Sequence, residues 1–483
     1  MKEMEKQKLG SEPISKLLLK MSVPMILAMV INGMYYLADA IFVGWGVGSE
    51  ALGGLAVIFP LQMLAIAIGM AIGTGTASIE SIELGNQRKD KAAKTINTSV
   101  IFSLILGILL PLILIIFKKK IIYFFGATEN IYPHAEGYYT YIVYGFVFIF
   151  LSFLEVNIIK AEGNAKLAAS GMFLGAFLNV ILDAIFIFVF HMGTAGAALA
   201  TVIARIITTL YLMRYYLSGR SIINLKKYPW TFEGKIMKRI LALGTGVFFN
   251  QIGFFLLAIA MNISLRYYGT GLDISVYGVF SRIYVFVTMP FLGLAQGIQP
   301  IIGYNFGAEK FQRILETLKK AIIFSILMGV VLFVFMVFFP EGVLGLFTKE
   351  SLIIQKGIIP LQISMLITPL IGIQILTYFF FLAINQPFKA LFVSVSRQTI
   401  FTLLLVIILP LFMGKLGIWV AYPVADILSV GIACLLLNKE TKQMKQYQMK
   451  QQLAFASGLE NWNIPTTFSG GGGVYIIKNS KRK

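Results

Sequence analysis

Asp39, Asn179, Asp183 and Thr201 are the residues whose types and spacing could do chemistry: two carboxylates, a carboxamide and a hydroxyl inside otherwise aliphatic and aromatic stretches. Asp39 lies in NGMYYLADAIFVG (residues 32–44), and Asn179 and Asp183 lie in FLNVILDAIFIFVF. An ionised side chain at the centre of a lipid-facing helix costs roughly 2.5–3.5 kcal/mol, so residues of this kind face protein or water and mark functional sites. Asn179 and Asp183 are four apart and share a helix face. The fifth and sixth apolar stretches turn near Met192, and Asp183 and Thr201 are each nine residues from it. Antiparallel packing therefore sets those two level, roughly 13 Å from the turn. Asp39 lies a similar distance below the outer end of the first stretch. Convergence of the four would suit a hard monovalent cation, and two close carboxylates can share a proton, so Na+ and H+ are both expected as occupants. The competing reading makes Asn179 and Asp183 polar glue between helices, Asp39 the cap of a broken segment, and Thr201 an ordinary interface threonine.

The elements that must position these residues are membrane spans. The chain has 483 residues, 58% of them hydrophobic and 13% charged, with a mean hydropathy of +0.81, which excludes a soluble globule and a single-anchor protein. Twelve apolar runs are legible, at 17–44, 51–79, 95–117, 138–159, 168–190, 194–217, 240–265, 274–300, 317–340, 355–384, 390–413 and 417–437. The expected fold is an all-α polytopic membrane protein. No cleavable leader is expected, because MKEMEKQKLGSEPISK is charged and runs straight into a full-length span. The net charge of +19 follows the topology rather than a nucleic-acid surface, since Lys and Arg gather in the alternate loops that share a side with both termini. That bias puts both termini in the cytoplasm of a multi-pass plasma-membrane protein. Lys118, Lys119 and Lys120 dissent and are read as a snorkelling helix end. The single cysteine, Cys434, reads as packing. His134 and His191 read as solvated outer-loop residues, and no metal-spaced cluster is present, so an enzyme is not expected.

The chain is duplicated. At an offset of 222 residues Gly75 meets Gly297, Gly85 meets Gly307, Phe102, Ser103 and Gly107 meet Phe324, Ser325 and Gly329, and Ala161 meets Ala383. At 221, Gly193, Gly196 and Ala200 meet Gly414, Gly417 and Ala421. Six spans per copy is an even number, so both copies insert alike and form two pseudo-symmetric six-helix bundles about an axis along the membrane normal, as alternating access needs. The expected organisation is an N-terminal lobe at 1–217 holding the cation site, a basic linker at 218–239, a C-terminal lobe at 240–438, and a polar, mobile tail at 439–483. Only the first lobe carries the oxygen set, because Asp39, Asn179, Asp183 and Thr201 align with Met261, Ile400, Leu404 and Tyr422.

Several motifs carry a family resemblance: SVPMI at 22–26, LADAIFVGWGVGSEALGGLAV at 37–57, glycines from Gly73 to Gly85, KAEGN at 160–164, NVILD at 179–183 and GTAGAALATVIAR at 193–205. The chain resembles the multidrug and toxic compound extrusion (MATE) transporters, in particular their DinF-like branch, over about residues 14–437. The resemblance implies antiport of amphipathic organic cations and xenobiotics against H+ or Na+, with the cation site at Asp39, Asn179, Asp183 and Thr201. It also implies that Pro24 marks a bend-prone point of the first helix; a position near that helix's start, where proline is well tolerated, is the alternative. The other large branch uses acids in the seventh and tenth spans, and here those spans have none, offering only Asn250, Gln251, Gln362 and Gln374. The runner-up function is a flippase for a lipid-linked glycan, which would require a more basic cleft. Gln296, Gln299 and Arg282 are the polar candidates for a substrate cleft, with internal pairing or bonding to backbone carbonyls the favoured reading for Arg282. Arg205, Arg397 and Asp426 are expected in interhelical ion pairs, and Glu155 near a helix end. No organic cofactor is expected beyond the coupling ion. The expected partners are small organic cations and membrane lipids, including anionic lipid at the basic loops, with the protein a monomer.

Overall fold

Within hydrocarbon every backbone N–H and C=O must be satisfied inside the segment, so apolar runs of this length become helices. The computed structural model describes residues 9–47 and 49–456; side chains at 35–41, 44–46, 49–50, 52, 56, 226 and beyond 449 lie outside the description, as does the chain after 456. Its long helices are α1 (Ile14–Gly46), α2 (Ser49–Gly85), α3 (Lys89–Ile116), α4a (Tyr132–Tyr144) with α4b (Phe146–Ala161), α5 (Ala165–Val189) and α6 (Gly193–Leu217). The second half follows the same order: α7 (Gly234–Tyr268), α8 (Gly271–Gly307), α9 (Phe311–Phe338), α10a (Ser351–Ser364) with α10b (Thr368–Ala383), α11 (Pro387–Met413) and α12 (Lys415–Ala456).

The fourth and tenth spans are not the continuous helices expected. They are pairs bent by 52° and 56°. α4 breaks at Gly145, where a Cβ would collide with the Val202 side chain of α6. α10b starts with Pro369 in its first turn, and proline cannot donate to the preceding turn. Three further expectations change. α12 runs to Ala456 rather than giving way to a mobile tail near 440, because Glu440 is buried against Lys389 (2.5 Å) and Gln386 (2.7 Å), and Tyr447 stacks edge-on to Phe311. His134 lies in the first turn of α4a, not in a loop. Lys118 is not snorkelling alone: it opens a short helix, Lys118–Phe124, and pairs with Glu136 at 2.5 Å, which holds its amine above the ordinary lysine range.

The two halves meet through backbone contacts at the end bearing the N-terminus and the basic loops. A Cβ on Gly85 would collide with the Tyr304 carbonyl oxygen, and one on Gly307 would collide with that of Ile82. These four residues are two repeat-equivalent pairs, so the contact is its own image under the pseudo-two-fold. The repeat-equivalent glycines Gly75 and Gly297 abut Ile240 of α7 and Ser22 of α1, contacts that differ by one helical turn between the two halves. Only glycine lets helices approach this closely, as is common between membrane helices. Leu9, Gly10 and Glu12, just before α1, reinforce the closure: their carbonyls accept from Asn305, Lys310 and Arg313 of the second half.

The C-terminal half is locked by a buried ion pair. Arg397 Nε donates to Asp426 Oδ1 at 2.6 Å, and its Nη2 donates to the Tyr284 hydroxyl. Phe280, Tyr284, Trp419 and Tyr422 pack around that pair. Arg205, expected in an ion pair, instead lies over the Phe153 ring at 5.0 Å. Removing one partner of a buried pair leaves an uncompensated charge at a cost of about 3–5 kcal/mol, whereas removing both is far milder. Asp426→Leu should therefore lower the thermal unfolding midpoint in detergent sharply, and Arg397→Met with Asp426→Leu should regain most of the loss. A single variant as stable as the parent would contradict this.

Candidate functional site

The α5–α6 hairpin brings three of the four oxygen-bearing residues together. Gly171 faces Leu212 and Gly175 faces Thr208 across it, and that antiparallel register carries Asn179 and Asp183 to the level of Thr201. All three are inside protein, with exposures of 2% for Asn179, 0% for Asp183 and 4% for Thr201. The Asn179 carboxamide bridges the others. In one orientation its nitrogen donates to Asp183 Oδ2 at 2.9 Å while its oxygen accepts from Thr201 Oγ1 at 3.1 Å and Thr201 N at 3.2 Å. In the other its nitrogen donates to Thr201 Oγ1 at 3.1 Å, and that hydroxyl donates to the Ala197 carbonyl at 3.1 Å. An ionised carboxylate accepts only, so it requires the first orientation; a protonated Asp183 can donate to the amide oxygen and permits the second.

The Asp39 side chain lies outside the described residues, but its backbone level is fixed by neighbours. α1 packs along α5, with Phe42 edge-on to Phe188 at 5.9 Å. Asp39 is three residues before Phe42, and Asp183 is five before Phe188. At 1.5 Å per residue their backbones lie within roughly 3 Å of the same depth. Immediately beyond Asp183 the helix widens into a π turn, Ile185–Val189, a distortion common beside functional groups. Sequence reasoning missed it, because nothing in IFIFV distinguishes a π turn from an α turn.

Pro24 stands well inside α1, so a helix-start role is excluded. Its flanking residues, Ser22 and Ile26, are those that Gly297 and Gly293 of α8 touch. The missing N–H thus falls where α1 leans on the other half. Gln296 and Gln299 do not line open space in this conformation. They are 5% and 1% exposed, with Gln296 beside Met29 and Lys160 and Gln299 Nε2 3.5 Å from the Thr74 carbonyl. Arg282 is exposed. In the second half Met261 is fully buried and Tyr422 packs on Phe280 and Tyr284, so no equivalent oxygen set forms there among the described residues. Gln374 and Gln362 donate to the Val393 and Val337 carbonyls.

A second polar group escaped the sequence reading. Lys160 and Glu80 are fully buried and Glu162 is 4% exposed, all near the basic end of the N-terminal half. Lys160 Nζ donates to Asn157 Oδ1 at 2.8 Å. Glu162 accepts from Ser221, Tyr215 and the Ile222 amide; burial raises its carboxyl above the usual range, and those donors hold it back. No spacing in the sequence signals this group, because it forms where α2, α4b and the linker meet. Among the described residues no group of three or more His, Cys, Asp or Glu converges as a metal site.

A family model described as MatE matches residues 24–185 and again residues 247–408. The chain belongs to the MATE family. The double match mirrors the internal repeat. The multidrug export protein MepA of Staphylococcus aureus (strain N315) is 26% identical over 428 residues, 88% of this chain and 94% of that protein. The solved structure of the MATE multidrug transporter DinF-BH in complex with a small-molecule ligand has a TM-score of 0.81 at 35% identity, covering 89% of this chain and 96% of that one. The outward-facing conformation of a multidrug resistance MATE family transporter has a TM-score of 0.87 at 24% identity, covering 91% and 98%, and shares the fold. This MATE protein is thus a multi-pass membrane transporter.

If the hairpin oxygens act together, Thr201→Val should lower cation affinity about tenfold, the scale of one lost polar contact. Radioactive sodium binding to purified protein checks this, and an unchanged affinity removes Thr201 from the site.

Proposed function

We propose that the protein is a secondary active exporter that exchanges amphipathic organic cations and drugs for H+ or Na+ by alternating access. The carrying observation is the buried Asp183–Asn179–Thr201 cluster, held in one bundle and level with Asp39 of the helix that leans on the other. A cation or proton there neutralises a carboxylate that hydrocarbon and protein otherwise surround, and its occupancy is felt by α1. Asp39 and Asp183 are the exchanging acids, Asn179 relays between carboxylate and hydroxyl, Thr201 completes the oxygen set, and Pro24 lets α1 bend.

The polarity of charge supports a cytoplasmic basic end, with both termini inside. On that orientation the glycine seam closes the cytoplasmic side. Residues 1–217 form the ion-handling lobe, 218–239 the linker and 240–438 the opposing lobe, whose last helix continues to Ala456, with the protein acting as a monomer in the plasma membrane. The name of the S. aureus relative, a multidrug export protein, and the ligand-bound state of the multidrug transporter DinF-BH favour drug-like organic compounds as cargo.

Efflux of a fluorescent organic cation from reconstituted vesicles, under an imposed pH gradient and separately an imposed sodium gradient, tests the reading. One gradient should drive efflux, and Asp183→Asn should abolish that drive while the protein still binds the dye. Efflux under neither gradient would favour the lipid-linked glycan flippase; wild-type rates in Asp183→Asn would remove the site.

A further inference from the structure

The face that α8 presents to α1 changes character along its length. Near the basic end Gly297, Gly293 and Met289 are pressed against Ser22, Ile26 and Gly33 of α1. Eleven residues span three turns to within about 20°, so Arg282 lies on the same stripe as Gly293, and Gly278 on that of Met289. There the stripe is exposed: Gly271, Ser275, Gly278, Arg282 and Val285 all face open space, and a Cβ on Gly278 would meet nothing within 4 Å. The two helices are antiparallel, and the pairings 22 with 297, 26 with 293 and 33 with 289 place Arg282 opposite positions 37–40 of α1. A guanidinium thus stands on the α8 stripe that faces α1, just beyond the last contact between the two helices and near the depth of the acidic cluster.

We propose that Arg282 is an anion-accepting subsite, so that the cleft takes amphipathic aromatic compounds carrying an amine at one end and a carboxylate at the other. This rests on the exporter reading and adds a specificity-determining residue to it. Guanidinium presents a rigid fork of donors that pairs with carboxylate in two parallel hydrogen bonds, and it keeps its charge at every physiological pH. An arginine within a span faces a cavity or a partner rather than lipid. Phe286 and Met289, one and two turns along the same stripe and packed on Gly33 of α1, form a soft apolar floor beside Arg282. The same charge weakens binding of compounds that are purely cationic.

The test uses a rhodamine with two primary amines, as its free acid and as its methyl ester, with affinities read by fluorescence polarisation on the purified full chain. Arg282→Gln should weaken the free acid about tenfold, the scale of one lost charge-assisted hydrogen bond, and should tighten the ester. Arg282→Lys should keep the wild-type order with a smaller gap. An unchanged affinity ratio in Arg282→Gln, or equal losses for both dyes, overturns the proposal. If Arg282→Gln binds neither dye, the wild type decides: a protein that binds the ester and ignores the free acid overturns it, and one in which the free acid competes with the ester supports it. These are equilibrium readings, so failure of the exporter reading shows separately, as absence of gradient-driven ester efflux from wild-type vesicles.

Discussion

Asp183 has no exposed surface, yet it sits in a hairpin whose surroundings are hydrocarbon and protein. A carboxylate in that position cannot be left as a bare charge; it must be protonated, paired with a cation, or surrounded by donors. Asn179 is the donor its own helix supplies, four residues away, and Thr201 is what the adjoining helix adds. The local sequence serves that need: small residues such as Gly171 and Gly175 bring α5 and α6 close enough for a carboxamide to reach a hydroxyl. Once the cluster is closed, its state of charge becomes a property of the whole bundle, because α1 lies against it at the same depth.

α1 is also the helix through which the first bundle touches the second. Its Ser22 and Ile26 flank Pro24 and rest on two glycines of α8, largely through backbone atoms. Such a seam has little room for gradual adjustment, since interdigitated backbones are either docked or apart. The repeat-equivalent contact of α2 with α7, and the mutual contact of Gly85 and Gly307 with Tyr304 and Ile82, make the closure a matched set. The second bundle brings a different interior to that seam, in which the Asp426 carboxylate is paired with the Arg397 guanidinium. The first half buries a carboxylate with amide and hydroxyl neighbours, and the second buries one with a guanidinium.

Much of this was legible before any coordinates. Apolar runs, the repeat, and the even number of spans per copy fixed the architecture, and the spacing of Asn179, Asp183 and Thr201 about Met192 placed three side chains together. What was not legible depends on close approach between distant segments. The bend at Gly145 arises because Val202 crowds it, and the burial of Lys160 and Glu80 arises because α2, α4b and the linker meet there. Gln296 and Gln299 looked like cleft residues for their polarity alone, but the register of α8 against α1 turns them into the seam and leaves Arg282 in the open. The polar composition after 440 concealed a helix, since Met444 and Tyr447 are too sparse to read as periodic. Asp39 is placed by its backbone level.

The central claim is that occupancy of the acidic cluster decides which end of the cleft is open. Spin labels on α1 and α8 at the far end, with their separation followed by pulsed electron resonance as pH or sodium is varied, address it directly. The account requires the wild-type distance distribution to shift with one of the two ions and that of Asp183→Asn to stay fixed in a single state. A distribution in Asp183→Asn that moves as the wild type does would contradict it.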